Sequence, residues 1–200
     1  MRLRVLDNGH RWRARVAMRL IPLAVGTELD DVGKTSLYRP DLFGRPWLAL
    51  LREVLRGPSD WSPAERELLA AFVSRLNSCR YCIGIHTGTA TIGMGSPVTV
   101  DMLDGWRTAG FEPRVRAALA LLEALARKAN GPTPGEVAAA REAGLSDDAI
   151  VDALAVAFVF NLINRLADAF AFDFGDEEGR LAEAHALHKL AYKVPGFLLA

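Results

Sequence analysis

The 200-residue chain lacks most of the features that announce a strand, a nucleotide site or a membrane span. Alternating β-branched runs, the mark of a half-buried strand, are missing. No glycine-rich loop follows a strand, so a nucleotide site has no support. The longest apolar run, ALAVAFVF at 153–160, falls far short of the roughly 20 residues that span a bilayer. Net charge is absent too. Lys+Arg and Asp+Glu both number 24, which leaves no electrostatic footprint for nucleic acid. The basic N-terminus MRLRVLDNGHRWRARVAMRL lacks the continuous apolar stretch of a secretory signal and reads as a solvated arm or an oligomer contact. These absences lead us to expect a soluble, cytoplasmic protein with neither nucleic acid nor membrane as partner.

What is present is apolar and helical. Half the residues are hydrophobic, enough to bury a core without staples. A neutral chain with so much apolar surface is a candidate for self-association. Ala, Leu, Arg and Glu recur at helical spacing, so the expected fold class is all-α, with about seven or eight helices. LRVL at 3–6 reads as a short extended piece. The Pro-, Gly- and Asp-rich residues 22–45 read as a loop that wraps the domain. Helices are expected over 46–57, 63–77, 78–92, 99–109, 112–129, 133–144, 146–172 and 180–192. The best-marked start is Ser62, Pro63, Ala64, Glu65, a capping box with proline at the first helical position. Thr133 to Glu136 repeats it. Asn77 or Ser78 is expected to cap the helix that follows. The expected organisation is an arm and wrapping loop over 1–40, a helical domain over 41–175 and a C-terminal helical extension over 176–200, closed by PGFLLA.

Only two cysteines occur, and they stand three apart in NSCRYCIGIH, residues 77–86. Chance placement would give that spacing in about one chain in a hundred. On a helix Cys79, Cys82 and His86 share one face. A cysteine in the first helical turn feels unpaired N–H groups, which favours a thiolate at Cys79. His86, one turn beyond Cys82, is better placed to take a proton from Cys82. Both routes stay open on spacing alone. Two sulfurs so spaced can close a disulfide without large backbone movement. A zinc site is the rival reading, with Glu67 as a possible fourth ligand, but thiolate sites seldom choose a carboxylate and no second CxxC exists. Read alone, Glu67 is one charge on an exposed helix face beside Glu65 and Arg66. Read with the cysteines, it lies on a helix that packs back on the CxxC helix if the turn at 77–78 is tight. There it would orient an imidazole.

Glu67, eleven residues, Cys79, two residues, Cys82, three residues and His86 together resemble the core motif of the AhpD-like alkylhydroperoxidases of the carboxymuconolactone decarboxylase superfamily. VSRLNSCRYC at 73–82 is similar to the peroxidase-related branch. Residues 114–172, with AALALLEAL, TPGE, EAGLSDDAIVDALAVA and FNLINRLADAF, look like the second half of that branch, so the likeness covers roughly residues 40–175. The resemblance implies an AhpD-like helical bundle assembled as trimers or dimers of trimers. It implies that Cys82 is the peroxidatic nucleophile, that Cys79 resolves its sulfenic acid as a disulfide, and that Glu67 and His86 relay protons through a water. A peroxide would be the substrate, and a lipoyl- or thioredoxin-like dithiol protein the reductant. No metal, flavin or other cofactor is needed. Founding members carry a histidine directly before the nucleophile, where this chain has Tyr81. A phenol with a pKa near 10 does not relay protons as imidazole does, so Tyr81 is expected to pack or to donate a hydrogen bond. Asn77 is expected in support.

Two other functions suit the same residues. One is a cofactor-free acid–base enzyme, such as a lactone decarboxylase or isomerase, centred on His86. The other is a non-catalytic, redox-sensing helical oligomer. Asn161, Asn164, Arg165 and Asp168 fall at helical spacing on one apolar helix and read as a structural network or subunit contact. Trp47, Trp61 and Trp106 read as core, and His185 and His188 as a solvated helix face.

Overall fold

Helix-forming residues dominate the chain, and the structure is helical throughout. The structure, a computed structural model, describes residues 3–25 and 29–193. Among these residues are eleven α-helices, one π-helical turn and no strand. The helices exceed the expected seven or eight because the N-terminal segment is itself folded. It carries α1 (Val5–Asn8), α2 (Trp12–Val25), α3 (Asp31–Tyr38) and the π turn Pro40–Gly44. The extended piece at 3–6 and the wrapping loop at 22–45 are therefore corrected, although residues 26–28 of that loop lie outside the described residues. Tertiary contacts supply the reason. Asp30 caps α3 by accepting the Gly33 N–H at 2.6 Å. Thr35, Ser36 and Leu37 are buried, and His10 bonds the Lys34 carbonyl at 2.8 Å. Burial outweighs a loop-like composition here.

The remaining helices are α4 (Arg45–Arg56), α5 (Pro63–Leu76), α6 (Arg80–Met94), α7 (Val100–Asp104), α8 (Pro113–Arg127), α9 (Pro134–Glu142), α10 (Asp147–Phe170) and α11 (Glu177–Leu190). Both expected capping boxes form, Ser62 with Glu65 and Thr133 with Glu136. The segment PGFLLA lies outside the described residues.

Helix α5 is the axis of the fold. Every residue from Arg66 to Ser74 is buried, so neighbours cover it on all sides. Helix α10 packs along it and contributes Val156, Val159 and Phe160 to a core shared with Leu119 and Leu122 of α8. Trp47, Trp61 and Trp106 are core residues, and Trp61 Nε1 donates to the Ala149 carbonyl at 2.7 Å. By length and apolar composition α10 is long enough to cross a membrane, yet half of its most apolar stretch is buried against the rest of the protein.

Helices α5 and α6 form a tight hairpin. Asn77 ends α5, Ser78 turns with φ of 60°, and the Cys79 N–H reaches back to the Ser74 carbonyl at 3.0 Å while the Ser78 N–H reaches Arg75 at 3.1 Å. This is a Schellman closure with serine where glycine is usual. It uses up residues 77 and 78, so Cys79 becomes the N-cap of α6 instead of Asn77 or Ser78. Helix α11 then lies on α6. A Cβ on Gly88 would come within 3.0 Å of the Ala184 Cβ, so the absent side chain sets how closely the two helices approach.

The Ser62 hydroxyl and the Glu65 carboxylate close a solvent-exposed box at the start of the central helix. Ser62→Ala is expected to lower unfolding stability by about 1 kcal/mol, measured by urea denaturation, with unchanged helical content.

Candidate active site

The hairpin puts Glu67 of α5 beside His86 of α6, one turn beyond Cys82. Glu67 is fully buried, not on the exposed face that its local sequence suggested. A carboxylate so placed needs donors on both oxygens. Oε2 meets His86 Nδ1 at 2.6 Å. Oε1 accepts from Arg56 Nη2 at 2.5 Å and from the Tyr192 hydroxyl at 3.0 Å. Burial alone would push the Glu67 carboxyl up, but His86 and then Arg56 outweigh it and leave the carboxyl below its ordinary value. The Tyr192 phenol moves well up, because it is buried and faces that carboxylate. Phe160 sets its edge against the His86 ring, with centroids 4.6 Å apart and planes at 90°. Glu67 thus holds the ring through Nδ1 and leaves Nε2 as the nitrogen available for exchange.

Cys79 and Cys82 are both reduced and buried, at 0% and 2% exposure. The two thiols lie near one another and their ionisations are linked: the Cys82 neighbour draws Cys79 below the usual thiol range, while the Cys79 neighbour, with burial, holds Cys82 well above it. The pair therefore gives up one proton readily and the second with difficulty. Outside the pair, Asn164 favours charge on Cys82, whereas Asp168 disfavours charge on both sulfurs. The place of the one remaining proton decides which of the sulfurs is the thiolate.

Asn164 is itself held by a polar network that runs from the core to the surface. Its amide donates to Ser74 Oγ at 3.0 Å, and Asn77 Nδ2 donates to the Oδ1 atoms of Asn164 and Asn161, each at 2.9 Å. Of the four polar residues expected to form a network on α10, Asn161 and Asn164 do so, with Asn77 as a side-chain donor, and Asn164 also lies beside Cys82. Tyr81 packs in the same buried cluster as the two cysteines, but its hydroxyl is bonded to carboxyls of two other segments. Its hydroxyl lies 2.6 Å from Glu183 Oε1 and 3.0 Å from Asp30 Oδ2. His185 and His188 sit on the exposed face of α11. A cavity of about 250 Å³ is lined by Arg56, Pro63, Ala64, Glu67, Thr89, His188 and Ala191.

Sequence reasoning missed Arg56 and Tyr192. Neither stands at a periodic spacing from Glu67, and Tyr192 is 125 positions away. Asn164 and Asp168 did carry a signal, as polar residues on an apolar helix.

Because its carboxyl lies below the ordinary value of 4.5, Glu67 contributes stability that is complete above about pH 4.5 and is lost as pH falls through the lower folded value. Wild-type stability is expected to fall more steeply below that pH than that of Glu67→Gln, measured by denaturant unfolding across pH. At pH 7 the variant is expected to lose about 3 kcal/mol, because the largely covered Arg56 is left without its counter-charge.

Comparisons with known proteins agree with this architecture. Residues 41–124 match the model of the carboxymuconolactone decarboxylase family. A crystal structure titled alkylhydroperoxidase AhpD core, an uncharacterized peroxidase-related protein from Ralstonia eutropha JMP134, superposes with a TM-score of 0.74 at 24% identity, over 89% of this chain and 93% of that one. An uncharacterized peroxidase-related protein from Silicibacter sp. TM1040 superposes with a TM-score of 0.74 at 24% identity, over 87% and 91%. No curated protein matches. At that identity the superpositions establish a shared fold. Residues 41–124 are a carboxymuconolactone decarboxylase family domain, and the chain built around it has the AhpD-like fold.

Proposed function

We propose that the protein is a thiol-dependent peroxidase that reduces a hydroperoxide through a Cys79–Cys82 dithiol/disulfide cycle. The observation that carries this reading is a pair of reduced, buried, neighbouring thiols near Asn164 and Asp168, one helical turn from the Glu67–His86 pair. His86 takes one proton from the pair and the proton that remains shifts to Cys79, so that the Cys82 thiolate, steadied by Asn164, attacks the outer peroxide oxygen. The O–O bond breaks and the alkoxide leaves, taking a proton from the His86 imidazolium that Glu67 holds. The Cys79 thiol then attacks the Cys82 sulfenic acid, water leaves, and a disulfide forms. Two electrons pass from the thiols to the peroxide. A protein dithiol, lipoyl- or thioredoxin-like, returns them by exchange.

A second reading rests on the cavity of about 250 Å³, which opens toward Arg56 and Glu67. It suits cofactor-free acid–base chemistry at the Glu67–His86 pair. Self-association is also part of the proposal. Trp12, Val16, Leu20 and Leu23 form an exposed apolar row on α2, and Val151, Phe158 and Leu162 form another on α10. Such rows favour burial between copies of the chain.

Peroxide consumption with a dithiol reductant is expected to fall at least about a hundredfold in Cys82→Ser. A dimedone adduct is expected at Cys82 in Cys79→Ser and no adduct in Cys82→Ser. Full activity in Cys82→Ser would sink the peroxidase reading. Turnover of a lactone that survives Cys79→Ser/Cys82→Ser but not His86→Ala would establish the second reading instead. Phe158→Glu, on a residue 65% exposed in one chain, is expected to lower the mass measured by light scattering without lowering helical content.

A further inference from the structure

Both sulfurs are sealed, yet a dithiol cycle needs them open to a protein partner. Three separate segments supply the cover. Val32 of α3, Phe172 just past α10 and Leu187 of α11 pack against the cluster of Cys79, Tyr81, Cys82, Ile85 and Ala167. The cover pieces are tied together at two points. The Asp173 N–H donates to Asp31 Oδ2 at 2.9 Å, joining α3 to the segment after α10. The Tyr81 hydroxyl lies between Asp30 of α3 and Glu183 of α11 and joins those two. Phe172 also stands edge-on to the Tyr81 ring, at 5.5 Å between centroids.

The chemistry of the second tie is unusual. A phenol has one proton and faces two carboxyl groups, and it can donate to only one of them at a time. With both carboxyls within 3.0 Å of the phenol oxygen, one phenol proton cannot satisfy both contacts without a further proton on the carboxyl pair. We propose that Tyr81, Asp30 and Glu183 form a proton-holding latch that keeps the cover closed over the dithiol and releases it when the carboxyl pair loses its proton. The importance of this latch for reduction by a dithiol partner rests on the peroxidase reading above; its existence does not.

The surroundings favour the proton. Burial and then Asp30 push the Glu183 carboxyl up to about 10. Burial and the two carboxyls hold the Tyr81 phenol well above its usual value. Nearby cations are committed elsewhere. Lys34 pairs with Asp31 at 3.0 Å on α3. Arg80 of α6 and Arg180 of α11 lie against the Phe174 ring, and Arg180 also donates to the Gly175 carbonyl. Asp31 adds negative charge from α3, Asp173 and Asp176 stand in the turn before α11, and Cys82 faces Tyr81 from their shared helix. The sign follows. The closed latch binds a proton that the open one gives up near the ordinary carboxyl value, so low pH favours the closed cover. Opening grows by up to about tenfold per pH unit between those two values.

The test is the rate at which N-ethylmaleimide alkylates the reduced protein, which needs no peroxidase activity. Glu183→Gln keeps the shape and hydrogen bonds of a protonated carboxyl and cannot ionise. The ratio of wild-type to Glu183→Gln rates cancels the ordinary thiolate dependence. It is expected to rise at least tenfold from pH 6 to pH 8.5, and a flat ratio overturns the latch. Tyr81→Phe is expected to raise alkylation at every pH. By hydrogen exchange it is expected to loosen residues 177–190 while 147–160 stay protected. Unchanged exchange over 177–190 in a folded Tyr81→Phe protein also overturns it. If the ratio rises while peroxide consumption is absent in all forms, the latch stands and the peroxidase reading fails.

Discussion

A carboxylate with no contact with solvent has to be met by charge and donors, and Glu67 draws the rest of the site around itself. Its two oxygens collect His86 from α6, Arg56 from the end of α4 and Tyr192 from beyond α11. Each partner comes from a different helix or its end, so this single charge ties four parts of the chain to one point. Arg56 also lies over the Tyr192 ring, 4.9 Å from its centroid, which closes the circuit. His86 is held in one orientation as a result, and Phe160 blocks the ring from turning away.

The hairpin between α5 and α6 makes that arrangement possible. Its Schellman closure leaves no slack at residues 77–79, so the register of the two helices is set within one turn. Ser74, near the end of α5, and Cys79, at the start of α6, are bound through the same backbone bond. The Ser74 hydroxyl then accepts from Asn164, which reaches Cys82 in turn. A polar network and a dithiol share their supports, so positions that look structural in one direction are chemical in the other.

Tyr81 illustrates how a departure from a familiar motif changes role. An imidazole beside the nucleophile handles protons at neutral pH, whereas a phenol does not. Here its hydroxyl lies in the cover, between two carboxyls. The proton that matters at this position lies on the carboxyl pair, and its business is access to the thiols.

The helical class, the capping boxes and the shared face of Cys79, Cys82 and His86 were legible in the sequence, because each depends on spacing along one helix, whereas Glu67 joined them only through the family resemblance. Local propensity and periodicity act over such distances. The folded N-terminal segment was not legible, since its Gly-, Pro- and Asp-rich composition favours loops and only burial against the rest of the protein reverses that preference. Arg56, Tyr192, Asp30 and Glu183 were hidden for a related reason. Their partners lie 11 to 125 positions away, and no periodicity connects them. The sequence by itself determined which groups with reactive chemistry share a helix face. Only the tertiary structure decided which of them are buried, and with it which charges need partners, because the cost of an unpaired charge arises when water is removed.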